Sequence, residues 1–323
     1  MKTKQFPDIG KPAWLGVASL IVIFLTVAAS SRGDILYVSN HNNDTVDEFD
    51  TVSGQLVYSF SVPAPRGIVV DGSGDIYVNS WSGQNVYKYP PSGNGFVSVA
   101  NVPGGDGLVF DGAGDMYIGD ESNNSIVKAT PKGGTSVFTS LQYSPSGLAF
   151  DSWGNLYVAE GNLVEKITPA GIGSVFASGL SGPFGLAFNS SGDLFVANYS
   201  NGTIDEFTPN GTGSTFASGL YTPTGLAFDS AGNLLVAEDW GGAYGQIEKI
   251  TPNGQVSVLA DDNMGGPLYM TVTPEPSPLF LLAAGLPVVL AFGVYNQATD
   301  KGNHFASKAK PPCSATARTG EAI

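Results

Sequence analysis

One fourteen-residue pattern recurs five times and constrains this chain more than anything else in it. GLAFDSAGNLLVAE occupies residues 225–238, with variants at 185–198 (GLAFNSSGDLFVAN), 147–160 (GLAFDSWGNLYVAE), 107–120 (GLVFDGAGDMYIGD) and 67–80 (GIVVDGSGDIYVNS). The leading glycines are spaced 40, 40, 38 and 40 residues apart. A period near 40 built from short strands is the mark of a propeller, one period making one four-stranded blade. The expected fold is all-β.

Residues 147–180 illustrate one blade. GLAF is the innermost strand, with small Gly147 and Ala149 on its crowded face. DSWGN is a turn in which Gly154 takes positive φ and Asp151 hydrogen-bonds the turn backbone. LYVAE and VEKITP are the second and third strands, and GSVFASGL is the outer one. The ends of the array complete each other. DILYVSN (34–40) matches a second strand with no first, while GGPLYMTV (265–272) falls where a first strand is due. Five full repeats plus one split blade predict six blades, closed by pairing the two ends.

The start G-L-A-F-D-x-x-G-N-L-Y-V-A-E, the later I-x-K-I-T-P-x-G and the link F-A-S-G-L-x-x-P resemble NHL-repeat six-bladed propellers over about residues 35–272. That resemblance implies a binding or scaffold platform more often than one chemistry. A second resemblance is C-terminal. Pro274, Glu275 and Pro276 precede an apolar stretch at 278–294, which looks like a PEP-CTERM sorting signal. It implies export in a Gram-negative bacterium and processing by an exosortase-type membrane protease. The expected organisation is a signal peptide (1–30), the propeller (31–272), the sorting motif (273–277), a transmembrane-type helix (278–294) and a basic disordered tail (295–323). Export to the cell surface or extracellular space follows, with the helix holding the chain in the membrane before processing.

Charge excludes one partner class. Residues 31–273 carry seven Lys and Arg against 24 Asp and Glu, a net −17. Nucleic acid needs clustered basic residues, which are missing. The lone Cys313 lies in the tail, so the propeller has no disulfide or thiol chemistry.

Candidate site residues come from the repeat frame. Asn40, Ser80, Asp120, Glu160, Asn198 and Glu238 end the second strands and should ring the channel mouth. Asp120, Glu160 and Glu238 are candidate ligands for a hard cation such as calcium, or polar strand ends bonded to neighbouring loops. Just inside lie the residues before the leading glycines: Arg66, Asp106, Ser146, Phe184 and Thr224. The same six-bladed fold is shared by gluconolactonases of the senescence-marker type, and that resemblance implies a divalent metal held partly at this position. Only Asp106 fits it here, and Arg66 is placed to pair with Asp106. Streptogramin-lyase-like propellers are similar in repeat pattern and use a histidine base, but the propeller region holds only His41. Trp81 and Trp240 fall in loops of the same face, with Phe184, Tyr199 and Tyr221 nearby, which suits stacking on a glycan or gripping a peptide. No convergent catalytic set is legible. The leading expectation is an exported recognition or scaffold propeller; the alternative is a metal-dependent lactonase or hydrolase, or a streptogramin-lyase-like enzyme.

Overall fold

The computed structural model describes residues 33–274, apart from Ala243, Asp262 and Asn263. The signal segment, Glu275 and Pro276 of the sorting motif, the apolar stretch and the basic tail lie outside the described residues. Within them the chain makes 24 strands and no helix. Blade 1 holds strands β4 (Pro65–Val70), β5 (Ile76–Ser80), β6 (Asn85–Tyr89) and β7 (Val97–Asn101). They follow β1 (Ile35–Asn40), β2 (Thr45–Asp50) and β3 (Leu56–Ser61) of the closing blade. Blade 2 is β8 (Gly105–Phe110), β9 (Met116–Asp120), β10 (Ser125–Ala129) and β11 (Thr135–Ser140). Blade 3 is β12 (Pro145–Phe150), β13 (Leu156–Glu160), β14 (Leu163–Ile167) and β15 (Gly173–Ser178). Blade 4 is β16 (Pro183–Phe188), β17 (Leu194–Asn198), β18 (Thr203–Phe207) and β19 (Gly213–Ser218). Blade 5 is β20 (Pro223–Phe228), β21 (Leu234–Asp239), β22 (Gly245–Ile250) and β23 (Val256–Ala260). The last strand, β24 (Pro267–Thr273), joins β1, β2 and β3 in sheet order β24-β1-β2-β3 and completes blade 6.

The chain is therefore an all-β six-bladed propeller with a split closing blade. β24 runs antiparallel to β1, from Ile35 opposite Thr273 to Asn40 opposite Pro267, so the strand reaches one residue past the expected end at Val272. Neighbouring blades pack through a repeated aromatic contact. Tyr77 meets Phe110, Tyr117 meets Phe150, Tyr157 meets Phe188 and Phe195 meets Phe228, each with ring centroids 5.0 Å apart and steeply inclined planes. Edge-to-face pairs of this kind contribute about 0.5–1.5 kcal/mol beyond burial.

The inner hairpin turns share a second device. Asp151 Oδ1 accepts from the backbone N–H of Trp153 and of Asn155, and Gly154 has φ +82°. Asp71, Asp111 and Asp229 repeat it. A lysine from the third strand then pairs with the turn: Lys88 with Asp75 and Lys128 with Asp115, both at 2.7 Å, Lys166 with Asp151 at 3.4 Å and Lys249 with Asp229 at 3.1 Å. The DGSGD sequence at 71–75 is thus a turn anchor.

The up-down order puts the strand 2–3 loops and the blade-to-blade links on one face, called here the loop face. The inner hairpin and strand 3–4 turns lie on the other, the turn face. Every inner strand carries a one-residue bulge next to the loop face. Pro65 pairs with Ser80 and Ile68 with Val78, so Arg66 and Gly67 together oppose Asn79. The same step recurs in blades 2 to 5. A bulge of this kind re-aims its side chain, and here it turns the residue before each leading glycine toward the channel mouth. The glycine is required by close approach: a Cβ on Gly67 would collide with the carbonyl of Asp106, and one on Gly185 with that of Thr224.

Candidate functional site: the channel mouth and loop face

Around the axis the bulge places Arg66, Asp106, Ser146, Phe184 and Thr224 in blade order, and Leu268 in the closing blade. Arg66 Nη1 lies 3.2 Å from Asp106 and 3.0 Å from Glu121, and the guanidinium carbon sits 4.0 Å from the centre of the Trp81 ring. Asp106 is fully buried. Burial pushes its carboxyl up, the Arg66 guanidinium pulls it back, and Glu121 adds to the rise. Both Asp106 oxygens, Arg66 Nε, Asn79 Oδ1 and the Tyr269 hydroxyl are buried and make no hydrogen bond of normal geometry.

Tyr269 is the residue that the repeat did not announce. It occupies the position held by the leading glycine in every other blade: Gly225 packs on Leu268 and Tyr269 as Gly185 packs on Thr224. Its ring lies 5.1 Å from Phe184, which is 6.5 Å from Tyr199. Burial and the nearby Asp106 carboxylate raise its hydroxyl well above the usual tyrosine range. Beneath it the axis narrows to a cavity of about 50 Å³ lined by Ile68, Leu108, Leu148, Leu186, Leu226 and Met270. Tyr269 thus forms one wall of a small axial cavity. The sequence signal was the break in pattern, Leu268-Tyr269-Met270 where Thr224-Gly225-Leu226 is the rule. Glu121 and Asn79 were also missed, because neither occupies a recurring polar position.

The six strand-end residues are buried under the loops. Glu160 Oε2 accepts from the backbone N–H of Tyr143 at 2.9 Å, and Glu238 Oε1 from that of Tyr221 at 2.7 Å. Asp120 accepts from the backbone and side chain of Asn123, and Asn198 from the backbone of Ser181. Ser80 donates to Pro63 O and accepts from Gly83, while Asn40 donates to Asp47. Asp120, Glu160 and Glu238 stand on three different blades. Among the described residues no three His, Cys, Asp or Glu side chains are grouped to hold a metal ion. Glu238 also accepts from Gln246 at 2.7 Å and from Trp240 Nε1 at 3.3 Å.

Aromatic side chains remain in contact with solvent. Trp81, Tyr143, Tyr199, Tyr221 and Trp240 are exposed on the loop face, and Phe184 is half-buried. His41, the one histidine among the described residues, lies with Nδ1 3.4 Å from Pro65 O. A larger groove, about 470 Å³, lies between blades 1 and 2 toward the turn face, lined by Tyr77, Lys88, Phe110 and Lys132 among others.

No protein-family model matches this chain, and no curated protein does. Solved structures do. A chain of a nidogen/laminin complex aligns with TM-score 0.66 and 16% identity, over 74% of this chain and 98% of that one. A streptogramin B lyase aligns at 0.53 and 19%, over 72% and 75%. A catalytically inactive histidine-to-alanine variant of virginiamycin B lyase from Staphylococcus aureus, with quinupristin, aligns at 0.56 and 16%, over 74% and 88%. The likeness is one of fold. The same blades serve a lyase and a protein solved in complex with laminin, so function has to be argued from this chain's own residues.

Proposed function

We propose that this chain is an exported, non-catalytic recognition propeller whose ligand, a glycan or a peptide, meets the loop face. One observation carries the reading: the acid at the channel mouth is engaged by the chain itself. Asp106 is buried and paired with Arg66. What stays open on that face is aromatic, which suits gripping rather than turnover. Trp81, Trp240 and Phe184 are the contact residues proposed, with Arg66, Asp106, Asp120, Glu160, Asn198 and Glu238 holding the loops that present them.

The enzymatic alternative, a metal-dependent lactonase or a streptogramin-lyase-like activity, is supported only by fold. Lactone hydrolysis and streptogramin cleavage are assayed on purified protein with added magnesium, calcium or manganese. No turnover is expected; turnover abolished by Asp106→Asn would contradict the reading. The localisation proposed is the cell surface or extracellular matrix, reached through the sorting segment that begins at Pro274 and includes Glu275 and Pro276. Intact mass from the native host tests this: a chain that keeps Ile323 excludes cleavage at that segment.

A further inference from the structure

We infer that the loop face binds a basic polypeptide segment, with Trp240 and Tyr221 of blade 5 receiving an arginine or lysine side chain. The inference rests on the recognition reading above and names its partner.

Charge is segregated by face. All five described lysines, Lys88, Lys128, Lys132, Lys166 and Lys249, lie toward the turn face, four of them paired with its aspartates. Arg66 is the one described cation on the loop side, and Asp106 and Glu121 neutralise it. Asp44, Asp239 and Asp261 stand on that face with no lysine or arginine partner among the described ion pairs. A cationic chain approaching this face meets attraction, whereas an acidic one meets repulsion.

The protein also displays the recognition chemistry internally. Arg66 sits over the Trp81 ring with two carboxylates within 3.2 Å of Nη1, an arrangement in which a guanidinium gains both cation–π and ion-pair energy. Blade 5 offers an indole and two carboxylates without a cation, the carboxylates coming from its own second and third strands rather than from the next blade. Trp240 stands in the corresponding loop, its ring 6.2 Å from Tyr221 at an interplanar angle of 74°, and both rings are exposed. Glu238 is held against the indole Nε1. Glu248 shares Gln246 with Glu238 and keeps Oε2 buried without a hydrogen-bond partner. At the bulge, where blade 1 has Arg66, blade 5 has Thr224, whose hydroxyl donates to Pro267 O at 2.7 Å. An incoming guanidinium or ammonium takes the role that Arg66 plays two blades away. Tyr143 and Tyr199 extend the exposed aromatic surface over blades 3 and 4, a span that fits an extended chain better than a single small amine.

The test is calorimetric titration of the full chain with hexaarginine amide, hexaglutamate and a neutral hexamer of N-acetylglucosamine. Hexaarginine should bind, and weaken as salt rises from about 50 mM to about 300 mM. Trp240→Ala and Tyr221→Ala should each weaken it at least about fivefold, and Trp240→Tyr should restore most of the affinity. Glu206→Gln on the turn face should leave it unchanged. Hexaarginine binding that ignores Trp240→Ala, or that falls equally with Glu206→Gln, overturns the inference. Binding of the neutral saccharide alone, lost in Trp240→Ala, overturns the cation preference and leaves the recognition reading standing. Failure of all three probes to bind in a Trp240-dependent way overturns the inference and counts against the recognition reading as well.

Discussion

At the scale of single residues, Arg66 holds a buried acid in place. Removing it strands Asp106 in a low-dielectric site, a change that costs about 3–5 kcal/mol when a buried pair is broken. Arg66→Ala should therefore lower stability far more than Arg66→Ala with Asp106→Asn, a difference read by denaturant unfolding. Glu165 shows the opposite situation. Its carboxyl is raised by burial and by the adjacent Glu160. A carboxyl raised in the folded state contributes stability that is present at low pH and lost as pH rises through the folded value. Glu165→Gln should thus raise the melting temperature at pH 7 and give no gain near pH 4. Equal gains at both pH values would exclude the carboxyl pair as the cause. Ala64 carries a smaller strain, with φ +43° where the equivalent links use Gly104, Gly182 and Gly266. Ala64→Gly should stabilise by about 0.5 kcal/mol, the relief of a left-handed alanine less the added freedom of the unfolded chain.

At the scale of elements, the blades were legible because each strand reports its own neighbours. The leading glycine, the Asp/Asn-x-x-Gly turn and the alternating inner strand recur in all five repeats, so their spacing carried the blade count. The split closure was legible for the same reason: residues 34–40 look like a second strand and residues 265–272 like a first. The bulge was not legible, since nothing in Pro-x-Gly distinguishes a one-residue insertion from regular pairing. Tyr269 was missed because its meaning depends on which blade lies beside it. The pairing of Arg66 with Asp106 was legible because both sit one position before a leading glycine on adjacent blades. Ending the chain after Ala260 removes β24, exposes the edge of β1 and opens the axis. That variant should aggregate or lose most of its melting temperature, and one that keeps its stability would rule out the closure. Outer strands are guarded differently. Each pairs with its neighbour through a register shift, which twists an edge that otherwise exposes Val97, Val137, Val175 and Val256.

At the scale of the whole molecule, the propeller is two-faced in its charge. The turn face is held by paired lysines and aspartates, while the loop face is acidic and aromatic around a closed axis. Net charge was readable from composition, but its distribution was not, because lysines on third strands reach one face only once strand direction is known. Hydrogen–deuterium exchange with and without hexaarginine amide reads out which face of the propeller takes up the ligand. Protection is predicted in the loops after β1, β5, β17 and β21 and in the links before β12 and β20, with the inner hairpin turns unchanged. Protection confined to the turn face or to the groove between blades 1 and 2 would contradict binding at the loop face.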